Sequence, residues 1–231
     1  QKAYFLPKIL SGEIQFCIGY SEPAAGSDLA ALTCRAERDG DEYIINGTKI
    51  WTTLASDADW CWLAVRTNPQ VAKHKGISML LVDMKNTPGI TTVPLNLLPG
   101  HDICQVFFED ARVPVANRVG EENGGWRLIT NQLNHERVTL CSSGMIEKYI
   151  DETCAWAKET TLPDGRRVID QEWVQLLLAR VYARLEFLRL INWKIAWAAQ
   201  SNSLHPADAS ATKAFGTEFF LEAVRACQEV V

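Results

Sequence analysis

The sequence has no C-x-x-C pair, and its seven cysteines, at 17, 34, 61, 104, 141, 154 and 227, are odd in number. That argues against a disulfide framework and against a zinc site, and the thiols read as reduced and mostly buried. Histidine is also scarce. The four, at 74, 101, 135 and 205, are dispersed, with no H-E-x-x-H or paired His/Cys spacing, so no metal is expected. No apolar run approaches the roughly 20 residues that span a bilayer. The opening QKAYFLPKILSGE lacks the long apolar core of a secretion signal, which makes the cytosol the expected address. Charge of one sign is not concentrated anywhere: the formal net charge is -5 and Lys and Arg are scattered, which sets aside nucleic acid and anionic membrane as partners. What is present is 231 residues, 47% of them apolar, enough to build one large domain or two small ones.

Two textures follow one another. From about residue 14 to 117, short β-rich runs alternate with turn residues. In CRAERDGDEYIINGTKIWTT, Asp39-Gly40 and Asn46-Gly47 are hairpin signals, and EYIIN between them predicts a strand. DWCWLAVRT, GISMLLVDM, GITTVPLN and CQVFFEDARV predict further strands, and the spacing suggests an antiparallel barrel or sandwich. After VPVANRVGEENGG, three long helical stretches are expected, roughly 124 to 160, 170 to 200 and 207 to 231, with LPDGRR and SNSLHP as breaks. Long helices with short connections predict a bundle. The linker at Asn117 to Gly125 is the expected domain boundary, and no internal repeat or low-complexity segment is present. The third helix reaches the last residue without a cap signal, so the chain reads as truncated.

Two local features ask for more than a fold. YSEPAAGSD, Tyr20 to Asp28, follows the strand-like run IQFCIG with a hydroxyl, a carboxylate, a bend and two more polar side chains. An ordinary turn with Ser or Asp capping explains much of it, but a glycine also permits close backbone approach, and free N–H groups in a turn suit anionic oxygens. The second feature lies in the first long helix, where Ile129, Leu133 and Leu140 share a stripe whose remaining member is Glu136. A carboxylate aimed at the apolar side has its pKa raised by burial, which makes a base for near-neutral pH. A structural ion pair with a neighbouring helix explains the same placement. Arg137 lies one position round the helix, so it diverges from Glu136.

With YSEPAAGSD, DEYIINGTKIWTT, FFEDARVPVANRVGEENGGW and HER in this order and spacing, the chain resembles the acyl-CoA dehydrogenase family over essentially its whole length. The resemblance implies an α+β multidomain fold: residues 1–13 end an N-terminal helical domain, 14–117 form a middle antiparallel β-barrel for flavin and acyl-CoA, and 118–231 begin a C-terminal helical bundle. The N-terminal helices and the last helices would be absent from this chain. The implied cofactor is FAD. By motif match, Tyr20 and Ser21 run along the flavin, with the Ser21 hydroxyl on its polar edge, and Gly26 and Ser27 lie near the pyrophosphate and the thioester arm. Trp51 is implied to pack on the flavin and Thr53 to hydrogen-bond it, with Thr52 turned to the opposite face by strand alternation. Without the motif, Trp51 would read as a core tryptophan. Ser27 and Arg137 are the implied substrate contacts, and Glu136 is the implied base, in one of two sequence positions the family uses. The reaction implied is α,β-dehydrogenation of an acyl-CoA thioester: Glu136 takes the α-proton while the β-hydrogen leaves as hydride to flavin N5, with an electron-transfer flavoprotein as acceptor.

Some stretches depart from the family pattern. TLPDGRRVIDQEW supplies Arg166 and Arg167 but no aromatic where relatives touch the adenosine end of a neighbouring subunit's FAD, and LLPGHDICQ is also altered. A different partner chain is one way to complete such a site. GYSEP, PVANRVGEEN, TNQLNHERV and WVQLLLARV are most similar to actinobacterial dehydrogenases of sterol side chains, which implies a bulky steroid-CoA thioester and a tetramer, homomeric or with a second acyl-CoA dehydrogenase chain. The small residues of CSSG after Glu136 suit either a large cavity or close helix packing. Two alternatives stay open: a non-catalytic partner subunit of a heteromeric dehydrogenase, and an acyl-CoA oxidase.

Overall fold

β-branched and aromatic runs punctuated by Gly, Asn and Asp fold into strands wherever alternate residues find a common interior. The structure, a computed structural model, describes residues 1–98, 102–201 and 203–231 and divides into two units, Gln1–Thr130 and Asn131–Val231. In the first unit a helix, α1 (Lys2–Ser11), precedes β1 (Phe16–Gly19), β2 (Arg35–Asp39), β3 (Glu42–Thr53), β4 (Trp60–Arg66), β5 (Ile77–Asp83), β6 (Ile90–Pro94), β7 (Ile103–Pro114) and β8 (Arg118–Val119). The sheet order is β6-β7-β3-β2-β4-β5-β8, with β1 on β4. The pairing is antiparallel as expected along β6-β7-β3-β2 and β4-β5-β8, while β1 runs parallel to β4, and β2 meets β4 in parallel at Arg35 and Arg66. These pairs join strands distant in sequence, which no hairpin signal reveals. Tyr43, Ile45, Leu63, Val65, Val82, Val106 and Phe108 form the interior, each contributing roughly 1.5–3 kcal/mol on burial.

Asp39-Gly40 does turn. Asp39 pairs with Glu42 across a two-residue loop, and Gly40 holds φ +60. Asn46-Gly47 does not turn, contrary to its hairpin signal, because β3 runs straight through it. On β7, Glu109 and Asp110 together face the single residue Asn46, a bulge at which Asp110 takes φ +51. The Asn46 amide donates to the Asp110 carboxylate at 2.9 Å and its oxygen accepts the Asp110 N–H at 3.0 Å. Gly47 is needed for proximity, since a Cβ there would stand 2.6 Å from Cys34 Cα. The stretch expected as a linker is paired into the sheet through β8 on β5 and a bridge from Gly124 to Ile77.

The helices are α2 (Gly125–Thr139), α3 (Ser143–Glu159), α4 (Glu172–Gln200) and α5 (Pro206–Val230). The single stretch expected over 124–160 is therefore two helices, parted at Leu140 to Ser142. Within the second unit, Ile146 and Ile150 of α3, Val181, Leu185 and Leu188 of α4, and Phe219 and Ala223 of α5 share one core. α4 is apolar on two faces: its inner stripe is buried, while Trp173, Leu176, Phe187, Leu190 and Trp197 are exposed. α3 and α4 are joined by a small hairpin in which Thr161 bridges Arg167 and Gly165 holds φ +85. All seven cysteines are free thiols. Among the described residues no helix is long and apolar enough to cross a membrane, and no cluster of His, Cys, Asp and Glu could hold a metal ion.

Candidate functional site

The turn after β1 is built around a buried carboxylate. Glu22 and Ala25 exchange both backbone hydrogen bonds, at 2.9 and 3.0 Å, and close a tight loop over Pro23 and Ala24. The Glu22 side chain accepts four hydrogen bonds, from the Thr33 N–H at 2.7 Å, the Thr33 hydroxyl at 2.8 Å, the Cys34 N–H at 2.9 Å and the Lys49 ammonium at 2.8 Å. Lys49, fully buried on β3, also donates to the Tyr20 carbonyl at 3.0 Å. Burial pushes the Glu22 carboxyl up, but the Lys49 charge and the donated hydrogen bonds together outweigh it and hold the group below the ordinary carboxylate range. The neighbouring Cys34 thiol is pushed by burial up to about 11, with Lys49 opposing and Glu22 adding to the rise.

Neither Glu22 nor Lys49 was singled out from the sequence. The signal was there: Lys49 has the same strand parity as inward-facing Tyr43 and Ile45, and a buried ammonium demands an acid. The ion pair ties the turn to β3, and the Ile50 N–H adds a bond to the Ser21 carbonyl at 2.9 Å.

Just beyond that tie, β3 carries a second bulge. Ile50 and Trp51 together face Gln105, between the pairs Lys49–Val106 and Thr52–Cys104. The bulge flips the strand's parity, so that Lys49 and Thr52, three residues apart, both point inward, while Trp51 and Thr53 both point outward. Trp51 takes a left-handed φ of +61 and is 57% exposed. That conformation costs a non-glycine residue about 1–2 kcal/mol. Among the described residues the inward Thr52 hydroxyl, which is buried, has no hydrogen-bond partner.

Ser21 is half-buried, and Gly26 and Ser27 are exposed. A Cβ at Gly26 would meet nothing within 4 Å, so the space over the turn is open. Among the described residues, the N–H groups of Gly26, Ser27 and Asp28 have no internal acceptor, while the Asp28 carboxylate pairs with Lys73 at 2.7 Å. Tyr20 is buried, and its hydroxyl accepts from the Trp62 indole at 2.9 Å. The first unit thus brings Tyr20, Ser21, Gly26, Ser27, Trp51 and Thr53 onto one continuous stretch of turn and strand end. An outward aromatic, outward hydroxyls and unused turn N–H groups suit a planar ring with an anionic tail.

Glu136 and Arg137 belong to the second unit. The expected burial of Glu136 is corrected: it is half-buried, and Leu140, meant to close its stripe, is 50% exposed because α2 stops at Thr139. Among the described residues Glu136 forms no ion pair. Its carboxylate accepts from the Gln132 amide at 2.5 Å, and its carbonyl accepts the Thr139 hydroxyl at 2.8 Å and the Leu140 N–H at 3.1 Å. Arg137 diverges, donating to Asn134 at 3.4 Å and to Ser210 of α5 at 3.3 Å.

In the α3–α4 hairpin, Arg166 pairs with Asp164 at 2.6 Å and Arg167 with Asp170 at 2.8 Å, so both guanidinium groups are engaged locally. Gln171, just past it, has a buried amide nitrogen with no partner among the described residues. Of the altered stretch LLPGHDICQ, Pro99 to His101 lie outside the described residues.

The family model described as "Acyl-CoA dehydrogenase, middle domain" matches residues 17–111, and the one described as "Acyl-CoA dehydrogenase, C-terminal domain" matches 123–231. Acyl-CoA dehydrogenase FadE26 of Mycobacterium tuberculosis is 52% identical over 238 residues, and FadE29 of the same organism is 49% identical over 234. Each of those alignments covers 100% of this chain and 59% of the relative, so the chain spans well under two thirds of their length. Among solved structures, the ChsE4-ChsE5 complex from Mycobacterium tuberculosis matches with a TM-score of 0.90 and 53% identity, over 100% of this chain and 59% of that one. A steroid acyl-CoA dehydrogenase, Tcur3481-Tcur3483, matches with a TM-score of 0.90 and 46% identity, over 100% and 58%. Two domain models in tandem and relatives of about half identity along the entire chain agree with the motifs and the folded units: the chain belongs to the acyl-CoA dehydrogenase family.

Proposed function

We propose that the protein is an FAD-dependent acyl-CoA dehydrogenase subunit that removes hydrogen from the α and β carbons of a bulky steroid side-chain CoA thioester, in cytoplasmic sterol and lipid catabolism. The observation that carries this reading is Trp51, an exposed tryptophan held at φ +61 by a bulge beside a turn locked to the same strand. A structural tryptophan gains nothing from exposure and strain together, whereas a ring-binding wall does.

FAD, when bound, supplies the acceptor for the β-hydrogen as hydride. Trp51 would pack against the planar ring, the Thr53 and Ser21 hydroxyls would bond its polar edge, and the Tyr20–Ser21 segment would run along it. The N–H groups at Gly26 and Ser27 would donate to phosphate oxygens, and Ser27 and Arg137 would contact the thioester substrate. Glu136 takes the α-proton onto its carboxylate. A thioester α-proton is weakly acidic, so the base must stand partly out of water with few competing donors; Glu136 is half-buried, and among the described residues its carboxylate accepts one hydrogen bond, from Gln132. The partner that would take up the electrons is an electron-transfer flavoprotein.

The assembly proposed is a tetramer with a second acyl-CoA dehydrogenase chain. Both solved relatives named above are two-chain complexes, and the outer face of α4 leaves Phe187, Leu190 and Trp197 uncovered. A second reading, a non-catalytic partner subunit, is favoured by one observation: Arg166 and Arg167 of the hairpin are each paired with a local carboxylate, Asp164 and Asp170, and would have to exchange it to meet the adenosine end of FAD.

The test is anaerobic mixing of the full-length protein, purified with its partner, against a steroid side-chain CoA thioester. Wild type should bleach the oxidised flavin band. Glu136→Gln should keep its flavin and reduce it roughly 10²- to 10⁴-fold more slowly. An unchanged rate in that variant moves the base elsewhere, and a wild type purified without flavin favours the partner-subunit reading.

A further inference from the structure

We infer that Asn192 of α4 is a positioning residue for Glu136, acting through the break between α2 and α3; the inference rests on Glu136 being the base. A helix that stops leaves its last carbonyls without partners, and the helix that follows leaves its first N–H groups so. The local sequence supplies no remedy, since Ser142, the N-cap of α3, makes no side-chain cap bond. The remedy comes from α4. The Asn192 side-chain oxygen accepts the Ser143 N–H at 3.2 Å, and its amide nitrogen donates to the Cys141 carbonyl at 3.3 Å. One amide thus bonds a carbonyl within the break and the first N–H of α3, which needs a donor and an acceptor on the same side chain.

α5 holds the same point independently. The Cys141 thiol reaches the Lys213 carbonyl at 3.6 Å, and a Cβ at Gly216 would lie 2.6 Å from the Cys141 Cβ, so only glycine lets α5 approach this closely. Glu136 sits in the last turn of α2, and its own carbonyl accepts the Leu140 N–H that leads into the break. Terminal turns fray unless tied, and a misplacement of about 1 Å at a reacting group costs up to roughly 10²-fold in rate. Asn192 makes no bond to the Glu136 carboxylate, so its effect passes through the backbone at Cys141 and Ser143.

The experiment uses the full-length, flavin-loaded protein with its partner and compares wild type, Glu136→Gln, Asn192→Leu and Asn192→Asp. Asn192→Leu removes both bonds. It should speed hydrogen exchange at residues 140–146, leave flavin content unchanged, and slow flavin reduction by the thioester roughly 10- to 100-fold, with the pH of half-maximal rate displaced. Loss of folded protein alone would lower the amplitude without moving that pH. Asn192→Asp keeps the acceptor for Ser143 and should fall between, and it carries the test if the leucine variant fails to fold. Unchanged exchange overturns the inference, as does faster exchange with an unchanged reduction rate. If Glu136→Gln itself reduces flavin at the wild-type rate, the base reading has failed and Asn192 is no positioning residue, whatever the exchange shows; if Glu136→Gln is inactive and Asn192→Leu is not, only the Asn192 inference has failed.

Discussion

The turn after β1 and the end of α2 both interrupt regular structure, both carry residues proposed for the site, and they are held in opposite ways. The turn is anchored from within by the single carboxylate of Glu22, with Thr33, Cys34 and buried Lys49 all donating to it. The end of α2 is anchored from outside, by Asn192 of α4 and by Lys213, Gly216 and Ser210 of α5, through longer hydrogen bonds and one close packing contact. A wall for a rigid ring gains from one strong, buried anchor that has a single solution. A carboxylate that must accept a proton is served by several weak ties that set its backbone and leave its side chain lightly bonded. The proposed binding wall and the proposed base thus differ in how much each depends on any one residue.

The sharpest way to break that comparison is at Glu22. Glu22→Gln leaves Lys49 buried without its counter-charge and should cost about 3–5 kcal/mol in chemical denaturation of the first unit. Asn192→Leu, losing two neutral hydrogen bonds, should cost the second unit about 1–3 kcal/mol. Replacing both charges, as Glu22→Leu with Lys49→Met, should recover most of the loss, because an apolar pair carries no desolvation penalty. The pH dependence has a definite sign. The folded-state pKa of Glu22 lies below its unfolded value, so the unfolded chain binds more protons in acid, and the stabilisation is full above the ordinary carboxylate range and lost as pH falls through the folded value. Wild type should therefore lose stability on acidification below about pH 5 more steeply than the double replacement. Equal acid limbs would show that Glu22 is not the dominant anchor.

What could be seen in the sequence was local. Alternation located the strands, and Asp39-Gly40 located its turn because a two-residue loop is specified by the residues in it. Asn46-Gly47 misled because its meaning depends on β7, where the Asp110 bulge uses the asparagine as a partner and Cys34 demands the glycine. The same holds for β3 at the site. Plain alternation from Tyr43 and Ile45 carries Lys49 and Trp51 to the same face, and only the bulge opposite Gln105 separates them. The stripe through Glu136 failed for a related reason: the period of 3.6 assumes a helix that continues past Leu140, and the break is specified by Asn192 and Gly216, over 50 residues away.

A smaller effect is expected inside the sheet. The Thr52 hydroxyl, on the strand between outward Trp51 and Thr53, is buried and has no partner among the described residues. Thr52→Val keeps the shape and removes the unsatisfied group, so it should raise stability by about 1–2 kcal/mol in urea denaturation without loss of flavin. A destabilised valine variant would mean the hydroxyl has a partner such as a bound water, and that the interior under the wall is polar by design.

The smallest effect is the most discriminating, because it separates the ring of Trp51 from the backbone that holds it. Trp51→Ala and Trp51→Gly both delete an indole that is 57% exposed, so neither should cost the 3–5 kcal/mol typical of a core tryptophan. Only glycine also relieves the left-handed φ of +61, so the glycine variant should be the more stable of the two by about 1 kcal/mol. Flavin retention should fall alike in both, since it depends on the ring and not on the strain. Retention equal to wild type in both variants would return Trp51 to an ordinary structural role. Stability that rises with glycine while flavin is lost means that the fold accepts strain at this residue to keep an aromatic face turned outward, and that the bulge in β3 serves the ligand and not the sheet.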